Sequence, residues 1–433
     1  MSPYKVSLAT GGALFALIGF SQAANAQAFY LQEQSARAAG RAFSGEAADT
    51  GSASIWWNPA SIGGIENGDG TISASVILPR GEVVDSGTLI VRPGQPAAPV
   101  GGNGITRNPI NNGVLPSGAI AVPLNDRIAL GVSITSPYSF TTDYPSDSWA
   151  RYSADKTKLR TIDIQPSIGV AVTDWLRVGA GLNIEYTDAS LSNALPNLAA
   201  TLPDGRQELK GDGWDFGWTA GVQLHSNRFT LGLSYKSAIE HTLKGDLTVS
   251  GLVGPLATSN MALSGIEAKF YTPSQAIAGA RFAATDKLTL NAQVIRYGWD
   301  KFDAIRLGAP VNAVLPENYR TSWSYAGGVD YAVSPKVTLR AGVQRATTPT
   351  QDTERDARVP DSDRWNFGVG GSYAASKKLS LDLAANYVSF ADAPIDRVTA
   401  AYAGTAAQTP ILTDGELRNA SAVVLTAGAR LKF

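Results

Sequence analysis

The chain has 433 residues, a formal net charge of −1 at pH 7, 44 glycines and no cysteine. The balanced charge offers no basic surface for nucleic acid, and no stretch after the N-terminus reaches the ~20 apolar residues of a spanning helix. Any segment that crosses a membrane must therefore be a β-strand, and a closed, hydrogen-bonded barrel needs no disulfides.

The N-terminus has the layout of a cleaved secretory signal. Lys5 precedes a short apolar run over 11–20, and small residues surround Ala26. This order of a positive charge, an apolar run and a small-residue site is typical of a signal peptide, and the run is too short to span a membrane. We expect residues 1–26 to be removed during export and exclude them from the fold.

Residues 69–433 alternate between short polar turns and long loops rich in Pro, Gly, Asp and Asn. Asn, Asp, Ser and Pro favour tight turns because they form local hydrogen bonds or restrict φ. The turns are Leu124-Asn125-Asp126-Arg127, Thr173-Asp174, Ser226-Asn227, Thr285-Asp286, Ser334-Pro335 and Ser376-Lys377. The loops are 80–114, 139–158, 188–211, 242–270, 301–319, 349–361 and 392–418. Six turns and seven loops make thirteen connections, so the sequence predicts an all-β fold, a 14-stranded antiparallel transmembrane β-barrel whose short turns face the periplasm.

The strands carry apolar side chains on one face and small or polar ones on the other, as Leu379, Leu381 and Leu383 against Ser380 and Asp382. A soluble β-sandwich would show the same alternation. Aromatic residues near the strand ends favour the barrel, because Trp and Tyr form girdles at membrane interfaces. We assign to these girdles Tyr138, Tyr144, Trp149, Tyr152, Trp175, Tyr186, Tyr297, Trp299, Trp323, Tyr325 and Tyr331.

The chain also ends inside a strand, on Phe433. This ending resembles the terminal strand of bacterial outer-membrane barrels and predicts the barrel-assembly machinery as a partner, besides outer-membrane lipid.

Residues 27–68 are too irregular and too rich in small residues to form another hairpin. A 14-stranded barrel has a lumen that its own side chains cannot fill. We therefore predict that 27–68 is a separate N-terminal plug inside the barrel.

Two groups of motifs resemble the FadL/TodX family of outer-membrane transporters. FYLQEQS over 29–35, GRAFSGEAA over 40–48 and WNPAS over 57–61 resemble the N-terminal hatch of that family. SYAGGVDY over 324–331, KVTLRAG over 336–342 and VPDSDR over 359–364 resemble parts of its barrel.

The resemblance implies a monomeric barrel without a cofactor that takes up long-chain fatty acids or other apolar compounds passively. It implies an extracellular apolar groove, a tight site in the lumen and lateral release through a gap in the wall beside the hatch. It places Asn58, Pro59 and Ala60 near that gap and Phe29 near the tight site.

Two predicted loops carry apolar residues that could bind a ligand. Leu191, Leu195, Leu198 and Leu202 recur at helical spacing in one loop, and Leu252 and Leu256 belong to an apolar group in another. Exposed apolar loops need a covering partner, so they form either a ligand groove or a closed cluster that shuts the barrel mouth.

A fatty carboxylate in the lumen would need a cation. Strand parity turns Arg340 inward, and we select it as the candidate, although each inward cation could instead pair with an inward acid.

An outer-membrane enzyme is disfavoured, because His225 in a predicted turn and His241 at the predicted rim are the only histidines. Without a nucleophile motif or cysteine, the sequence predicts neither a catalytic triad nor a zinc site. Aromatic hydrocarbons remain an alternative substrate class to fatty acids. An open porin for hydrophilic solutes is a further alternative, which the predicted plug argues against.

Overall fold

The computed structural model describes residues 29–433, so the predicted signal peptide lies outside this range. The strands are β1 Asp69–Asp85, β2 Leu89–Ile90, β3 Ala98–Pro99, β4 Ile105–Arg107, β5 Gly113–Pro123, β6 Ile128–Thr135, β7 Ser139–Asp143, β8 Lys156–Ala171, β9 Leu176–Leu195, β10 Gly205–His225, β11 Phe229–Lys236, β12 Ile239–Ser250, β13 Met261–Thr272, β14 Ser274–Ala283, β15 Leu288–Gly298, β16 Ala304–Leu307, β17 Val314–Pro316, β18 Ser322–Ser334, β19 Val337–Ala346, β20 Arg364–Ala374, β21 Leu379–Phe390, β22 Ala393–Ala401 and β23 Thr409–Lys432. An α-helix spans Ala36–Ala39, and 3₁₀ helices span Glu46–Ala48, Ser52–Ser54, Pro59–Ile62, Gly254–Ser259 and Trp299–Lys301. In the described chain, no helix is long and apolar enough to cross a membrane.

The 23 strands form a closed antiparallel barrel with fourteen positions in its wall, as predicted. We call each wall position a stave, whether it consists of one strand or of two consecutive strands. β1 pairs with β5 on one side and with β23 on the other, from Asp69↔Lys432 onward, which closes the sheet. Four staves consist of two strands each, namely β6 with β7, β11 with β12, β13 with β14, and β21 with β22. Each of the six predicted turns joins two neighbouring staves, so the turn residues were correctly assigned.

The staves rise further on the loop side than the sequence predicted. β9 and β10 pair continuously from Leu176↔Leu224 to Leu195↔Gly205. Most of the predicted loop 188–211 is therefore strand, and the helical spacing from Leu191 to Leu202 produces no helix. Pairing across the hairpin satisfies the backbone there and overrides the local spacing.

The aromatic assignment was partly wrong. Trp175, Trp323, Tyr325 and Tyr331 are exposed on the outer face, but Tyr138, Tyr144, Trp149, Tyr152, Tyr297 and Trp299 are buried inside. Trp214, Phe216 and Trp218 add to the exposed outer aromatics. Tyr138, Tyr297 and Trp299 belong to one buried cluster with Phe29 and Phe302, whereas Tyr144, Trp149 and Tyr152 pack in two other buried clusters.

Residues 29–68, here the plug segment, lie inside the barrel. The helix Ala36–Ala39 contacts β20, β21 and β23, and the 3₁₀ helix Pro59–Ile62 contacts β8, β9 and β10. Wall glycines allow this close approach: a Cβ on Gly232 would lie 1.9 Å from the Ala47 carbonyl oxygen, and one on Gly342 would lie 2.2 Å from that of Arg41.

A buried charge cluster fastens the middle of the plug segment. The Arg41 guanidinium pairs with Glu46, lies 2.5 Å from Asp49 and lies 3.2 Å from Asp330 of β18. Arg281 of β14 also reaches Asp330, at 2.9 Å. Since removing one partner of a buried pair leaves an uncompensated charge, this cluster ties the plug segment firmly to the wall.

Candidate functional site

The barrel wall is interrupted between β5 and the stave formed by β6 and β7. The ladder runs from Pro123↔Ala129 to Gly118↔Ile134 and stops there. Pairing with this stave resumes only at the isolated bridge Ile110↔Thr142. Pro137, which has no N–H, lies in the linker between β6 and β7. We call the unpaired region around 136–138 the wall break.

The first residues of the plug segment, 29–34, cover the wall break, and we call them the leading stretch. Leu31 N donates to Pro137 O at 2.7 Å, and Ser139 N donates to Phe29 O at 3.1 Å. The Gln34 amide also contacts the Ser136 peptide, and the Ser117 hydroxyl donates to Gln34 O at 2.8 Å. The leading stretch therefore supplies backbone partners that a continuous barrel would take from its own wall.

An apolar pocket lies at the loop side of the leading stretch and encloses about 810 Å³ of empty space, part of it open to solvent. Its aromatic floor is built from both the plug segment and the wall. Phe29 stacks on Phe140 with ring centroids 5.8 Å apart and meets Phe302 edge-on at 5.5 Å. Aliphatic side chains complete the lining: Leu159, Ala189, Leu191, Leu209, Leu243, Ala268, Ile305 and Val359.

One end of the pocket is polar, and Arg358 is its best-placed cation. The Arg358 guanidinium donates to Thr157 Oγ1 at 3.2 Å and to Ser153 O. Lys158 and Lys210 also line the pocket, but Asp188 and Glu208 pair with them at 2.6 and 3.0 Å. No carboxylate of the described chain lies within ion-pairing distance of the Arg358 guanidinium, although Glu317, Glu354 and Asp356 line the same pocket. Among the cations of the pocket, Arg358 is therefore the one best able to bind an anionic ligand.

Loop 349–361 positions Arg358 by folding over the barrel mouth. The buried Arg355 donates to Asp361 O at 2.7 Å and to Pro394 O at 2.6 Å, which fastens the loop to β22. On the opposite side, Tyr144 donates to Ala357 O at 2.6 Å. These contacts hold the loop from both sides and turn Arg358 towards the pocket.

Glu317 adds a titratable group to the polar end of the pocket. Arg397 of β22 lies 3.9 Å from Glu317 and 2.9 Å from Asp356, so the two acids share one cation. Burial, aided by the negative charge of Asp356, raises the pKa of Glu317 to about 8. Glu317 is therefore mostly neutral at pH 7 and can donate a hydrogen bond.

The structure brings some of the predicted ligand residues to the pocket and not others. Phe29 and Leu191 line it. Leu195, Leu252 and Leu256 are buried in a separate cluster with Leu198 against it, so these loops form a closed cluster rather than an open groove. Leu202 is 40% exposed and lies outside both.

Arg340 does not line the pocket. Its Nε lies 2.9 Å from Asp330 Oδ1, and its Nη1 donates to Ser372 Oγ at 2.5 Å. Arg340 thus already has an acid partner, which is the alternative that the sequence left open for each inward cation.

Asn58, Pro59 and Ala60 pack against wall strands away from the leading stretch. Asn58 Nδ2 lies 2.7 Å from Ala47 O and 3.2 Å from Val222 O of β10, and β10 pairs with β11 without interruption. A Cβ on Gly179 of β9 would lie 2.3 Å from the backbone of both Pro59 and Ala60. The contacts of these three residues are to an intact part of the wall.

Sequence reasoning missed Arg358 and Glu317, and placed His241 wrongly at the rim, whereas it is fully buried in the lumen. A usable signal existed for Arg358, because Asp352, Glu354, Arg355, Asp356 and Arg358 concentrate charge in a loop just before the VPDSDR motif. Among the described residues, no His, Asp and Glu cluster is suited to a metal ion.

Comparison with known proteins gives consistent matches over nearly the whole chain. Residues 17–433 match the family model described as outer membrane protein transport protein (OMPP1/FadL/TodX). The chain is 25% identical to the long-chain fatty acid transport protein of Escherichia coli, over 83% of this chain and 87% of that protein. It is 27% identical to the 47 kDa outer membrane protein of Pasteurella multocida, over 85% of this chain and 88% of that protein.

Comparison with solved structures shows the same fold. A FadL homologue of Pseudomonas aeruginosa superposes with a TM-score of 0.81 at 25% identity, covering 94% of this chain and 99% of that one. The toluene transporter TodX of Pseudomonas putida gives 0.66 at 17% identity, covering 93% and 99%, which bears on the fold alone.

Proposed function

The chain belongs to the OMPP1/FadL/TodX family of outer-membrane transport proteins, and from this we propose that it takes up long-chain fatty acids across the Gram-negative outer membrane. The family consists of transporters of hydrophobic compounds and not of enzymes.

The observation that carries the proposal is an apolar pocket with one cation, Arg358, that forms no ion pair in the described chain. An alkyl chain would lie along Phe29, Phe140 and the aliphatic lining, and its carboxylate would bind Arg358. Burial of each methylene contributes ~0.8 kcal/mol, so a long chain provides most of the affinity and the cation provides the orientation.

The path continues through the leading stretch. Phe29 contacts the pocket, and Leu31 bonds to Pro137 at the wall break. A ligand that displaces Phe29 would also displace the neighbouring residues that cover the break. The alkyl chain of the ligand could then leave sideways into the bilayer. We therefore propose the wall break as the lateral exit, in place of the predicted position beside Asn58, Pro59 and Ala60.

Aromatic hydrocarbons are the second candidate substrate. Five aromatic side chains line the pocket, namely Phe29, Phe140, Phe270, Phe302 and Tyr319. Stacked and edge-on ring contacts add ~0.5–1.5 kcal/mol beyond area burial, so a small ring could bind without Arg358.

The test combines conductance with binding on one preparation. The purified barrel is inserted into planar bilayers, and radiolabelled palmitate is titrated with toluene as competitor. We expect little open-channel current and saturable palmitate binding, and competition by toluene would extend the substrate range. A steady large conductance without saturable binding would refute the transporter and indicate a diffusion porin.

A further inference from the structure

The barrel wall has a second irregularity, which lies on β1 towards its loop end. Pairing of β1 with β5 stops at Ile77, and pairing with β4 resumes only at Glu82. On the other side of β1, the register with β23 shifts between Arg80 and Glu82. Asn108 holds the backbone of Gly81 instead: its N–H donates to Gly81 O at 2.7 Å, and its Oδ1 accepts from Gly81 N at 3.2 Å. The ladder is therefore irregular on both sides of β1 at one level.

An apolar crevice lies at this irregularity and encloses about 350 Å³ of empty space, part of it open to solvent. Proline has no N–H, and three of its four buried lining residues are prolines, which present no backbone donor to the empty space. An apolar group can therefore enter the crevice without covering a backbone donor of these prolines. We call this space the β1 crevice; its buried lining is Pro79, Pro109, Pro360 and Leu417, and its exposed edge carries Arg80 and Asn108.

The mouth of the β1 crevice lies at the upper edge of the lipid-facing surface. The outward side chains of β1 before it are apolar or small, and Ile72 and Val76 are 55% and 39% exposed. Arg80 is the first charged outward residue of β1 and lies eleven residues from Asp69, the start of the strand. At ~3.3 Å per residue and a tilt of ~40°, this is about 28 Å along the membrane normal, close to the ~25 Å of an outward apolar band. The crevice therefore opens where acyl chains meet headgroups.

Arg80 is the cation best placed to bind an anion at this mouth. Its neighbours Arg107 and Arg418 already pair with acids, at 2.9 Å from Glu82 and at 2.5 Å from Glu416. No carboxylate of the described chain lies within ion-pairing distance of the Arg80 guanidinium, which is exposed on the outer face. Arginine binds phosphate through two N–H groups at once, so Arg80 is suited to a phosphate whose apolar tail enters the crevice.

Loop 349–361 separates the β1 crevice from the apolar pocket. Val359 lines the pocket, and the next residue, Pro360, lines the crevice. The residues that line the two spaces have no member in common. The β1 crevice is therefore a separate site with its own mouth on the outer face.

We propose that the β1 crevice binds a phosphorylated lipid of the outer leaflet, with an acyl chain in the crevice and a phosphate on Arg80. Lipid A, the acylated and phosphorylated glycolipid of that leaflet, carries both groups. The surrounding membrane presents it at the mouth, whereas water in an apolar crevice would find few hydrogen-bond partners. The inference goes beyond the proposed uptake function and does not depend on it, since a lipid can bind here whatever the barrel transports.

The experiment titrates the detergent-purified barrel with lipid A and counts the bound lipids by native mass spectrometry. We expect one saturable site in the wild type. Arg80→Gln should raise the dissociation constant of that site about tenfold, because a hydrogen bond to a charged group is lost. Arg296→Gln is the matched control and should leave the constant unchanged, since Arg296 is also an exposed outward cation near the loop end of its strand, but on β15, several staves from β1.

A second pair of variants tests the acyl-chain part of the crevice. Ala420 lines the crevice, so the added methyl groups of Ala420→Leu should fill space that the acyl chain needs and weaken lipid A binding at least tenfold. Ala427→Leu makes the same change at an exposed position of the same strand, β23, and should leave binding unchanged. Removing the phosphates of lipid A should weaken its binding to the wild type and have no further effect on Arg80→Gln.

Folding is checked by the heat-dependent shift in electrophoretic mobility of an intact barrel. If Ala420→Leu does not fold, the comparison of Arg80→Gln with Arg296→Gln still decides, because both of these side chains are exposed. Equal lipid A affinity in folded Arg80→Gln and wild type would overturn the proposal. Displacement of the bound lipid A by palmitate would overturn it as well, since the crevice would then bind a free fatty acid instead of a membrane lipid.

Discussion

Replacing Arg358 by glutamine should weaken the binding of fatty acids and leave neutral ligands unaffected. The Arg358 guanidinium donates to the neutral oxygens of Thr157 and Ser153 and forms no ion pair within the described chain. A bound carboxylate would therefore be its ionic partner. A hydrogen bond to a charged group contributes ~1.5–3 kcal/mol. At about 1.4 kcal/mol per factor of ten, Arg358→Gln should raise the palmitate dissociation constant about ten- to hundredfold.

The assay is a titration of the detergent-solubilised barrel with radiolabelled palmitate, and in parallel with hexadecanol. Arg306→Gln is the control, because Arg306 is an exposed cation on the same side of the barrel, paired with Asp303 at 3.0 Å. Hexadecanol affinity should stay within about threefold in both variants, since the alkyl chain contributes most of the binding. Equal palmitate affinity in Arg358→Gln and wild type would refute the assignment of the carboxylate to Arg358.

Three further predictions concern the polar end of the pocket, the leading stretch and the fit of the plug segment. Because burial raises the pKa of Glu317 to about 8, palmitate affinity should fall as the pH rises from 7 to 9, and Glu317→Gln should remove that fall in the same titration. The double substitution Tyr30→Cys and Tyr138→Cys should form a disulfide, since these residues form an antiparallel bridge with Cα atoms ~4.5 Å apart. Uptake should stop under oxidation and return with reductant. Uptake that continues with the disulfide formed would exclude the wall break as the exit. Gly232→Val should displace the Ala47 backbone and raise single-channel conductance in planar bilayers, whereas an unchanged closed state would show that the plug segment tolerates the added side chain.

The fold could be predicted from the sequence because the signals for turns and strands are local. A turn such as Thr173-Asp174 is recognised from its own residues, and period-two alternation is recognised within a single strand. The aromatic residues were harder to assign, since Trp323 and Trp299 both lie near strand ends but one faces outward and the other lines the lumen. Residue type alone does not distinguish a membrane girdle from an internal apolar cluster.

The candidate site depends on contacts between distant parts of the chain. Hydrophobic periodicity and turn residues do not reveal such contacts. Arg358 points into the pocket because Tyr144 holds the backbone at Ala357, more than two hundred residues away in sequence. One pair of opposed carboxylates on the lumenal wall could have been predicted from the sequence. Asp163 and Glu185 lie at equal distance from Asp174 in the turn, so the predicted hairpin already placed them opposite each other.

The plug segment is attached with very different strength along its length, and this difference bears on how a passive transporter can open. Arg41 sits in a buried cluster with Glu46, Asp49 and Asp330, and breaking such a cluster costs ~3–5 kcal/mol because a charge is left without its partner. The leading stretch is joined to the wall break by two backbone hydrogen bonds and by two hydrogen bonds between the Gln34 side-chain amide and the Ser136 backbone. Each contributes only ~0.5–1.5 kcal/mol, and these bonds can break one at a time. A ligand that takes the place of Phe29 can therefore release the leading stretch while the Arg41 cluster keeps the rest of the bore closed. On the proposed path, lateral exit would then need no energy beyond that of ligand binding, and the barrel would not become an ion channel.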